Sequence, residues 1–213
     1  MTASAPPAAG PADPAEPDTA PPSLGRRVRG LRQSRGLTLQ QVADRAGLAL
    51  STVSKIERDL MAPTYDRFTK LALGLGVDVS ELFADTGDDF SPGEFAVARL
   101  GEAGRLETQN YVYEMLFAQV RGKQMTPMLG DLKPLEQMRF DRMVSHEGQE
   151  FLFVLEGRVI VQAEGRPAVV LRKGESLYLD SRLGHLYASA DDAPARILCV
   201  CTALSHGAGE AEG

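Results

Sequence analysis

The sequence predicts an α+β protein of two domains, in which an all-α domain of five short helices is followed by an all-β barrel. Apolar residues recur with a period near 3.6 up to about residue 84 and with a period of two from about residue 111, which are the periods of helices and strands. The net charge of the chain also changes between these two parts. Residues 23–84 carry ten Lys and Arg against six Asp and Glu, a net charge of +4, whereas residues 85–213 carry thirteen against twenty, a net charge of −7.

These changes divide the chain into five segments. The first 22 residues hold seven of the thirteen prolines and no Val, Ile, Leu, Phe or Tyr, so they cannot bury enough surface to offset the entropy of ordering them. The stretch GDDFSPGEF has the composition of a linker. The predicted segments are a disordered tail (1–22), a helical domain (23–84), a linker (85–95), a barrel domain (96–204) and a flexible tail (205–213).

The five helices are predicted from capping signals and apolar spacing. Gly36 ends an arginine-rich first helix, Thr38 is a suitable N-cap for the second, and Gly47 ends the second. Val53 and Ile56 are spaced to face inward from the third helix. The predicted helices start at or near Leu24, Leu39, Ser51, Tyr65 and Ser80.

Two short helices joined at Gly47 within a small bundle form a helix-turn-helix arrangement. The stretch LTLQQVADRAGLALSTVSKIERDLMAPTYDRFTKLALGLGVDVSELF resembles the lambda-repressor-like, XRE-type DNA-binding domain. The match includes Ala43 and Gly47, expected at a tight helix crossing, together with Val53, Ile56 and Pro63. The resemblance and the positive charge imply binding to double-stranded DNA.

The resemblance also implies which side chains contact DNA. Ser51, Thr52 and Lys55 lie at the start of the recognition helix and would face base edges. Contacts to phosphates, which position the protein without reading sequence, would come from Arg26, Arg29, Arg58 and Tyr65.

The C-terminal part reads as a series of short strands separated by turn residues, which predicts a sandwich or barrel. Two stretches, SHEGQEFLFVLEG and LRKGESLYLDSRLGHLYAS, resemble the two motifs of the cupin family, whose fold is a jelly-roll barrel. The combination of an XRE-type domain with a small cupin is similar to an architecture of bacterial transcription regulators.

The two motifs are expected to bring His146, Glu150 and His185 together. Glu150 follows His146 across a predicted turn at 147–148, and His185 would join from a later strand. Two imidazoles and one carboxylate can hold one divalent metal ion, such as Zn, Fe, Mn or Ni, and leave positions for a small ligand.

A metal-free pocket is the alternative for the same residues. Val144 stands where cupins usually carry the first histidine ligand, so the two histidines would instead hydrogen-bond each other, Glu150 or a bound effector. Arg142 alternates with Val144 and His146, and it is either an inward side chain suited to a carboxylate or phosphate ligand or a surface arginine.

The functional prediction is a cytoplasmic, DNA-binding transcriptional regulator with no catalytic residues and no required cofactor. We expect a homodimer on a two-half-site operator, with apolar contact area from the outer face of the strand RILCVCTAL and a small-molecule effector in the barrel. Cys199 and Cys201, which share one face of that strand, are expected to be reduced packing residues. The sequence holds no run of 18 apolar residues, so we expect no membrane partner.

An enzymatic alternative shares the same layout. The two domains and the set of His146, Glu150 and His185 also resemble hydroxypropylphosphonate epoxidases, which are mononuclear non-haem iron oxygenases. Those enzymes use a lysine from the helical domain, and Gly36 stands at the corresponding place here, which argues against this chemistry.

Overall fold

The structure is a computed structural model that describes residues 23–77, 79–83, 90–108, 110–139 and 143–202. Several sequence predictions lie outside the described residues: the tail 1–22, the tail 205–213, residues 85–89 of the linker, and Arg142.

The N-terminal domain contains four α-helices in its described residues, followed by one short 3₁₀-helix. The helices are α1 (Leu24–Ser34), α2 (Leu39–Ala46), α3 (Leu50–Glu57) and α4 (Tyr65–Leu75), and the 3₁₀-helix is Val79–Leu82. The prediction of five α-helices is therefore wrong in its last member. Gly76 ends α4 in the left-handed conformation, and the four residues of the final segment form the tighter helix that suits so short a piece. None of the described helices is long and apolar enough to cross a membrane.

Helix α2 has the ends that the sequence predicts. The backbone N–H of Gln41 donates to the Thr38 hydroxyl over 3.1 Å, and the Gln41 side chain accepts from the Thr38 backbone over 2.8 Å, which completes a capping box. Gly47 ends the helix with a φ of 60°. Open space surrounds the position of a Cβ at Gly47, so this glycine serves the left-handed cap and not the tight crossing that we predicted.

The close approach between helices is made by Gly74 of α4. A Cβ at this position would lie 2.7 Å from the Cβ of Ala46 and 2.8 Å from the carbonyl oxygen of Val42, both in α2. Glycine therefore lets α4 lie directly against the first helix of the helix-turn-helix motif.

Two acidic side chains at the end of α3, Glu57 and Asp59, form hydrogen bonds that hold α1 in place. Asp59, at a φ of 54°, accepts hydrogen bonds from the backbone of Gly25 over 2.8 Å and from the hydroxyl of Ser23 over 2.6 Å. Arg32 donates to both carboxylate oxygens of Glu57, over 2.6 and 2.9 Å. One arginine of the basic first helix is thus part of the domain's internal structure.

The C-terminal domain is a two-sheet barrel of antiparallel strands, as predicted. One sheet has the strand order β1-β2-β3-β9-β4-β7 and the other β6-β5-β8. The strands are β1 (Gly104–Glu107), β2 (Tyr111–Met115), β3 (Met125–Leu132), β4 (Gln149–Glu156), β5 (Arg158–Ala163), β6 (Val169–Arg172), β7 (Ser176–Asp180), β8 (His185–Ser189) and β9 (Ala195–Thr202). Strand β9 lies between β3 and β4, with Cys199 paired to Met128 on one side and to Leu152 on the other, and these three side chains are buried.

Candidate functional site

Strands β4 and β9 provide the floor of the site. Glu150, Leu152 and Val154 occupy alternate positions of β4 and are all buried, which confirms that the face of Glu150 points inward. On β9, Cys201 pairs with Glu150 and Cys199 pairs with Leu152. One carboxylate and two thiols therefore meet inside the barrel.

Backbone pairing between the segment before β4 and the start of β8 brings in the two histidines. Val144 and His185 exchange backbone hydrogen bonds of 2.9 and 3.0 Å, and the N–H of His146 donates to the carbonyl of Ser181 over 3.0 Å. Gly148 forms the turn before Glu150 with a φ of 99°. This pairing brings together His146, Glu150 and His185, the three residues that the motifs single out.

Both imidazoles direct Nε2 toward Glu150. The Nε2 of His146 lies 3.3 Å from Oε2 of Glu150, and the Nε2 of His185 lies 3.7 Å from the same oxygen. The Nδ1 of His146 lies 3.1 Å from the carbonyl oxygen of Glu147, and that of His185 lies 2.7 Å from the carbonyl oxygen of Leu183. A carbonyl oxygen only accepts, so each Nδ1 carries a hydrogen, and in the neutral ring Nε2 keeps its lone pair.

Glu150 is held ionised in spite of its burial. Burial acts to raise its pKa, but the hydrogen bond with His146, the charge of His185 and the hydrogen bond from Cys199 outweigh it and lower the pKa to about 2. The histidines respond in opposite directions. Burial acts to lower the pKa of His146, but its hydrogen bond and charge interaction with Glu150 raise it, whereas burial lowers the pKa of His185. His146 is therefore the main carrier of a balancing proton.

Cys199 and Cys201 are free, but they line the site instead of only packing the core as predicted. The thiol of Cys199 donates to Oε1 of Glu150 over 2.9 Å, and the two sulfur atoms lie 3.8 Å apart. The hydrogen bond with Cys201 and burial raise the pKa of Cys199 well above its usual value. The hydrogen bond with Cys199 acts to lower the pKa of Cys201, but burial and the charge of Glu150 outweigh it.

A cavity of about 350 Å³ opens above these residues and is lined by tyrosines of the barrel. The Tyr111 hydroxyl donates to the carbonyl oxygen of Tyr187 over 2.9 Å. The Tyr187 hydroxyl is itself buried and interacts with the Glu150 carboxylate. Burial raises the pKa of Tyr111, Tyr113 and Tyr187, so all three remain protonated hydroxyls.

The N-terminal domain forms part of the cavity wall. The side chain of Tyr65, the first residue of α4, lies edge-on to His146 with ring centroids 5.4 Å apart, and its ring is 5.9 Å from that of Tyr113. The lining residues from this domain are Met61, Ala62, Thr64, Tyr65, Asp66 and Arg67. No sequence pattern distinguishes this use of Tyr65, because it depends on how the two domains meet.

The predicted phosphate contact of Tyr65 is wrong for this arrangement. Only 9% of the residue is exposed, and its ring packs against the barrel instead of the outer surface. The other residues expected to contact DNA lie on the surface of the N-terminal domain. Ser51 and Lys55 are exposed on α3 with Thr52 partly exposed between them, and the exposed arginines are Arg26, Arg29 and Arg58.

Comparison with protein-family models identifies both domains. Residues 28–82 match the model described as helix-turn-helix, and residues 136–201 match the model described as cupin domain. The HTH-type transcriptional regulator PuuR of Escherichia coli (strain K12) is 22% identical over 178 residues, which cover 84% of this chain and 94% of PuuR. The transcriptional regulator ClgR of Mycobacterium tuberculosis (strain ATCC 25618 / H37Rv) is 33% identical over 82 residues, which cover 38% of this chain and 72% of ClgR.

A solved structure of a transcriptional regulator shares the fold. An HTH_3 family transcriptional regulator from Vibrio cholerae aligns with a TM-score of 0.57 and 22% identity, over 84% of this chain and 94% of that one. Hydroxypropylphosphonic acid epoxidase from S. wedmorenis aligns with a TM-score of 0.44 and 21% identity, over 84% and 96% of the two chains.

Proposed function

The chain belongs to the DNA-binding transcriptional regulators that join a helix-turn-helix domain to a C-terminal cupin domain, and we propose that it acts as a homodimer controlled by a small molecule in its cupin cavity. One observation carries the sensing role: the cavity wall is built from both domains. A ligand that fills the cavity would contact the element that also supports the DNA-reading helix.

The proposed DNA surface is centred on α3. Ser51, Thr52 and Lys55 are spaced over slightly more than one helical turn, so they lie on one exposed side of this helix. The exposed arginines of α1 and Arg58 at the end of α3 extend the positive charge around it, where phosphates would pass. Arg32 is excluded because its guanidinium is occupied by Glu57.

Binding of the full chain to the DNA upstream of its own gene, compared with an unrelated duplex, tests this surface. We expect Lys55→Ala and Thr52→Ala each to weaken specific binding by roughly 1–3 kcal/mol, the range of a lost base contact, with little effect on the unrelated duplex. Arg29→Ala should weaken binding to both duplexes alike because a phosphate contact does not depend on sequence. Lys173→Ala, an exposed change in the barrel, is the matched control.

Two outcomes would contradict the proposal. One is unchanged specific binding in Lys55→Ala and Thr52→Ala. The other is a single chain per duplex in sedimentation, since a two-half-site operator requires two copies of the motif.

An apolar patch on the outer surface of the larger sheet supports the homodimer. In the strand register, Leu129, Leu198 and Phe153 form one row, and Pro127, Val200 and Phe151 form the next. All six residues keep part of their surface exposed. Arg196 lies at the margin of the patch and pairs with Glu114 and Asp131, so the patch has a charged border, as protein interfaces commonly do.

Helix α4 offers a short path from the cavity to the DNA surface. Its first residue, Tyr65, contacts His146, and Gly74 near its other end lies directly against α2. Because α2 precedes and packs on the recognition helix, a ligand that displaces Tyr65 would move or loosen the support of α3. A volume of about 350 Å³ suits a small molecule, and the tyrosine hydroxyls favour a ligand that forms hydrogen bonds.

The proposed role is regulatory and not catalytic, and the DNA-binding role supports a cytoplasmic location. The relatives PuuR and ClgR, both transcriptional regulators, support this role. Oxygen-dependent turnover of a small substrate by the iron-loaded protein would instead support the oxygenase alternative.

A further inference from the structure

We propose that the barrel holds a thiophilic divalent metal ion, most favourably zinc, through His146, Glu150, His185 and the thiolate of Cys201. The histidine that Val144 replaces is thus substituted by a sulfur ligand from β9. This ligand set differs from the two histidines and one carboxylate predicted from the sequence, and it does not depend on the sensing role proposed above.

The geometry selects Cys201. One ligand atom each from His146, Glu150 and Cys201 lie within 4.8 Å of one another, and within the described residues this is the group of His, Cys, Asp and Glu close enough to share an ion. In a tetrahedral zinc site, bond lengths of about 2.0–2.3 Å set neighbouring ligand atoms roughly 3.5 Å apart. Side-chain rotations would have to close the difference. His185 lies outside this group although its Nε2 is 3.7 Å from Oε2 of Glu150, so its ring would have to move toward the other ligands to become the fourth.

The nitrogen and oxygen ligands are already oriented for a metal. Backbone carbonyls of Glu147 and Leu183 hold the two Nδ1–H groups, which leaves both Nε2 atoms facing the carboxylate. A ligating histidine is commonly oriented through its second nitrogen in this way. Cys199 donates to Oε1 of Glu150, whereas both histidines face Oε2, so the two carboxylate oxygens have different partners.

Charge balance favours the sulfur ligand. A divalent ion with neutral histidines and only the Glu150 carboxylate would leave one net positive charge buried in the barrel, which is costly. A coordinating thiol is deprotonated by the metal, so Cys201 would supply the second negative charge. Because thiolate ligands select zinc and similar ions over hard cations, this set favours zinc and fills all four tetrahedral positions.

Cobalt(II), a spectroscopic substitute for zinc, distinguishes the ligand sets. The full-length protein is treated with a chelator, freed of it, and titrated with Co²⁺. We expect one equivalent to bind and to give a thiolate-to-cobalt charge-transfer band in the near ultraviolet, together with the intense visible bands of tetrahedral Co²⁺. The Cys201→Ser and Cys201→Ala variants should lose the charge-transfer band, and their zinc affinity, measured by chelator competition, should fall at least tenfold.

The neighbouring thiol provides the matched control. Cys199→Ser keeps a hydrogen-bond donor beside Glu150 and should retain the band. Binding of each variant to the upstream DNA establishes that it is folded and separates failure of the metal site from failure of the DNA-binding role. The proposal is overturned if wild-type protein binds neither Co²⁺ nor Zn²⁺, if bound Co²⁺ shows no thiolate band, or if Cys199→Ser removes the band while Cys201→Ser retains it.

Discussion

Among the ion pairs that the structure describes within the DNA-binding domain, Arg32–Glu57 is the most enclosed. Only 14% of the Arg32 side chain and 6% of the Glu57 side chain are exposed. Arg32 also donates to the backbone carbonyl of Leu37 over 3.0 Å, so its guanidinium joins α1, α3 and the turn before α2. Its role is to hold the helices in their relative positions.

Glu57→Ala should destabilise this domain by roughly 3 kcal/mol, because removal of one partner leaves the other charge buried without compensation. Thermal denaturation followed by the helical circular dichroism signal measures the loss. Asp191→Ala is the control, because its partner Arg158 lies on the surface and the side chains are 53% and 35% exposed. This variant should melt at the wild-type temperature, and an equal loss in both variants would contradict the structural role of Glu57.

Individual residues show which parts of the candidate site can be predicted from the sequence. His146, Glu150 and His185 could be predicted because the cupin motifs fix their spacing along the chain. The spacing of Cys199 and Cys201 placed both sulfurs on one face, but the choice between inner and outer face depends on the register of β9 with β4. Tyr65 was predicted as a phosphate contact, and its place in the cavity wall was missed because its partners, His146 and Tyr113, belong to the other domain.

At the scale of elements, helix caps and strand alternation were predicted more reliably than contacts between elements. Thr38 and Gly47 mark the two ends of α2 as expected, because helix caps depend on residues that are neighbours in the sequence. The crossing of α2 and α4 depends on two segments that are distant in the sequence. The sequence predicted Gly47 at a tight helix crossing, whereas in the structure Gly74 makes the close approach. The final helix was predicted from a four-residue segment, for which i→i+3 and i→i+4 pairing are hard to distinguish.

Gly74→Ala should destabilise the helical domain by about 1–3 kcal/mol, because the new methyl group would meet Ala46 and the backbone of α2 below 3.0 Å. The control is Gly30→Ala on the exposed side of α1, where nothing lies within 4 Å of the new Cβ. That change should stabilise the domain by roughly 0.5–1 kcal/mol through helix propensity. Denaturation midpoints of the two variants should therefore move in opposite directions, and a stabilised Gly74→Ala would refute the close crossing.

At the scale of the whole molecule, Tyr65 connects the cores of the two domains. Its ring packs on Tyr113 and His146 of the barrel while its backbone begins α4. The buried apolar residues of the two domains form one continuous cluster through such contacts. The domains should therefore unfold cooperatively.

Calorimetry tests this coupling without a known effector. Tyr65→Ala should separate the unfolding of the full chain into two transitions, because the ring that bridges the domains is removed. Tyr178→Ala, at a residue that is 65% exposed on β7, should leave the wild-type profile unchanged. If Tyr65→Ala also left the profile unchanged, the contact would contribute nothing to coupling.

Because both domains form the cavity wall, the effect of a ligand on operator binding and the effect of the operator on ligand binding are thermodynamically linked. If a ligand requires Tyr65 to move and thereby weakens DNA binding by a given factor, the DNA complex must bind that ligand more weakly by the same factor. Protein bound at its operator would then respond only at a higher ligand concentration than free protein. The amount of DNA-bound regulator, and not the affinity of the isolated pocket alone, would set the concentration at which the signal is sensed.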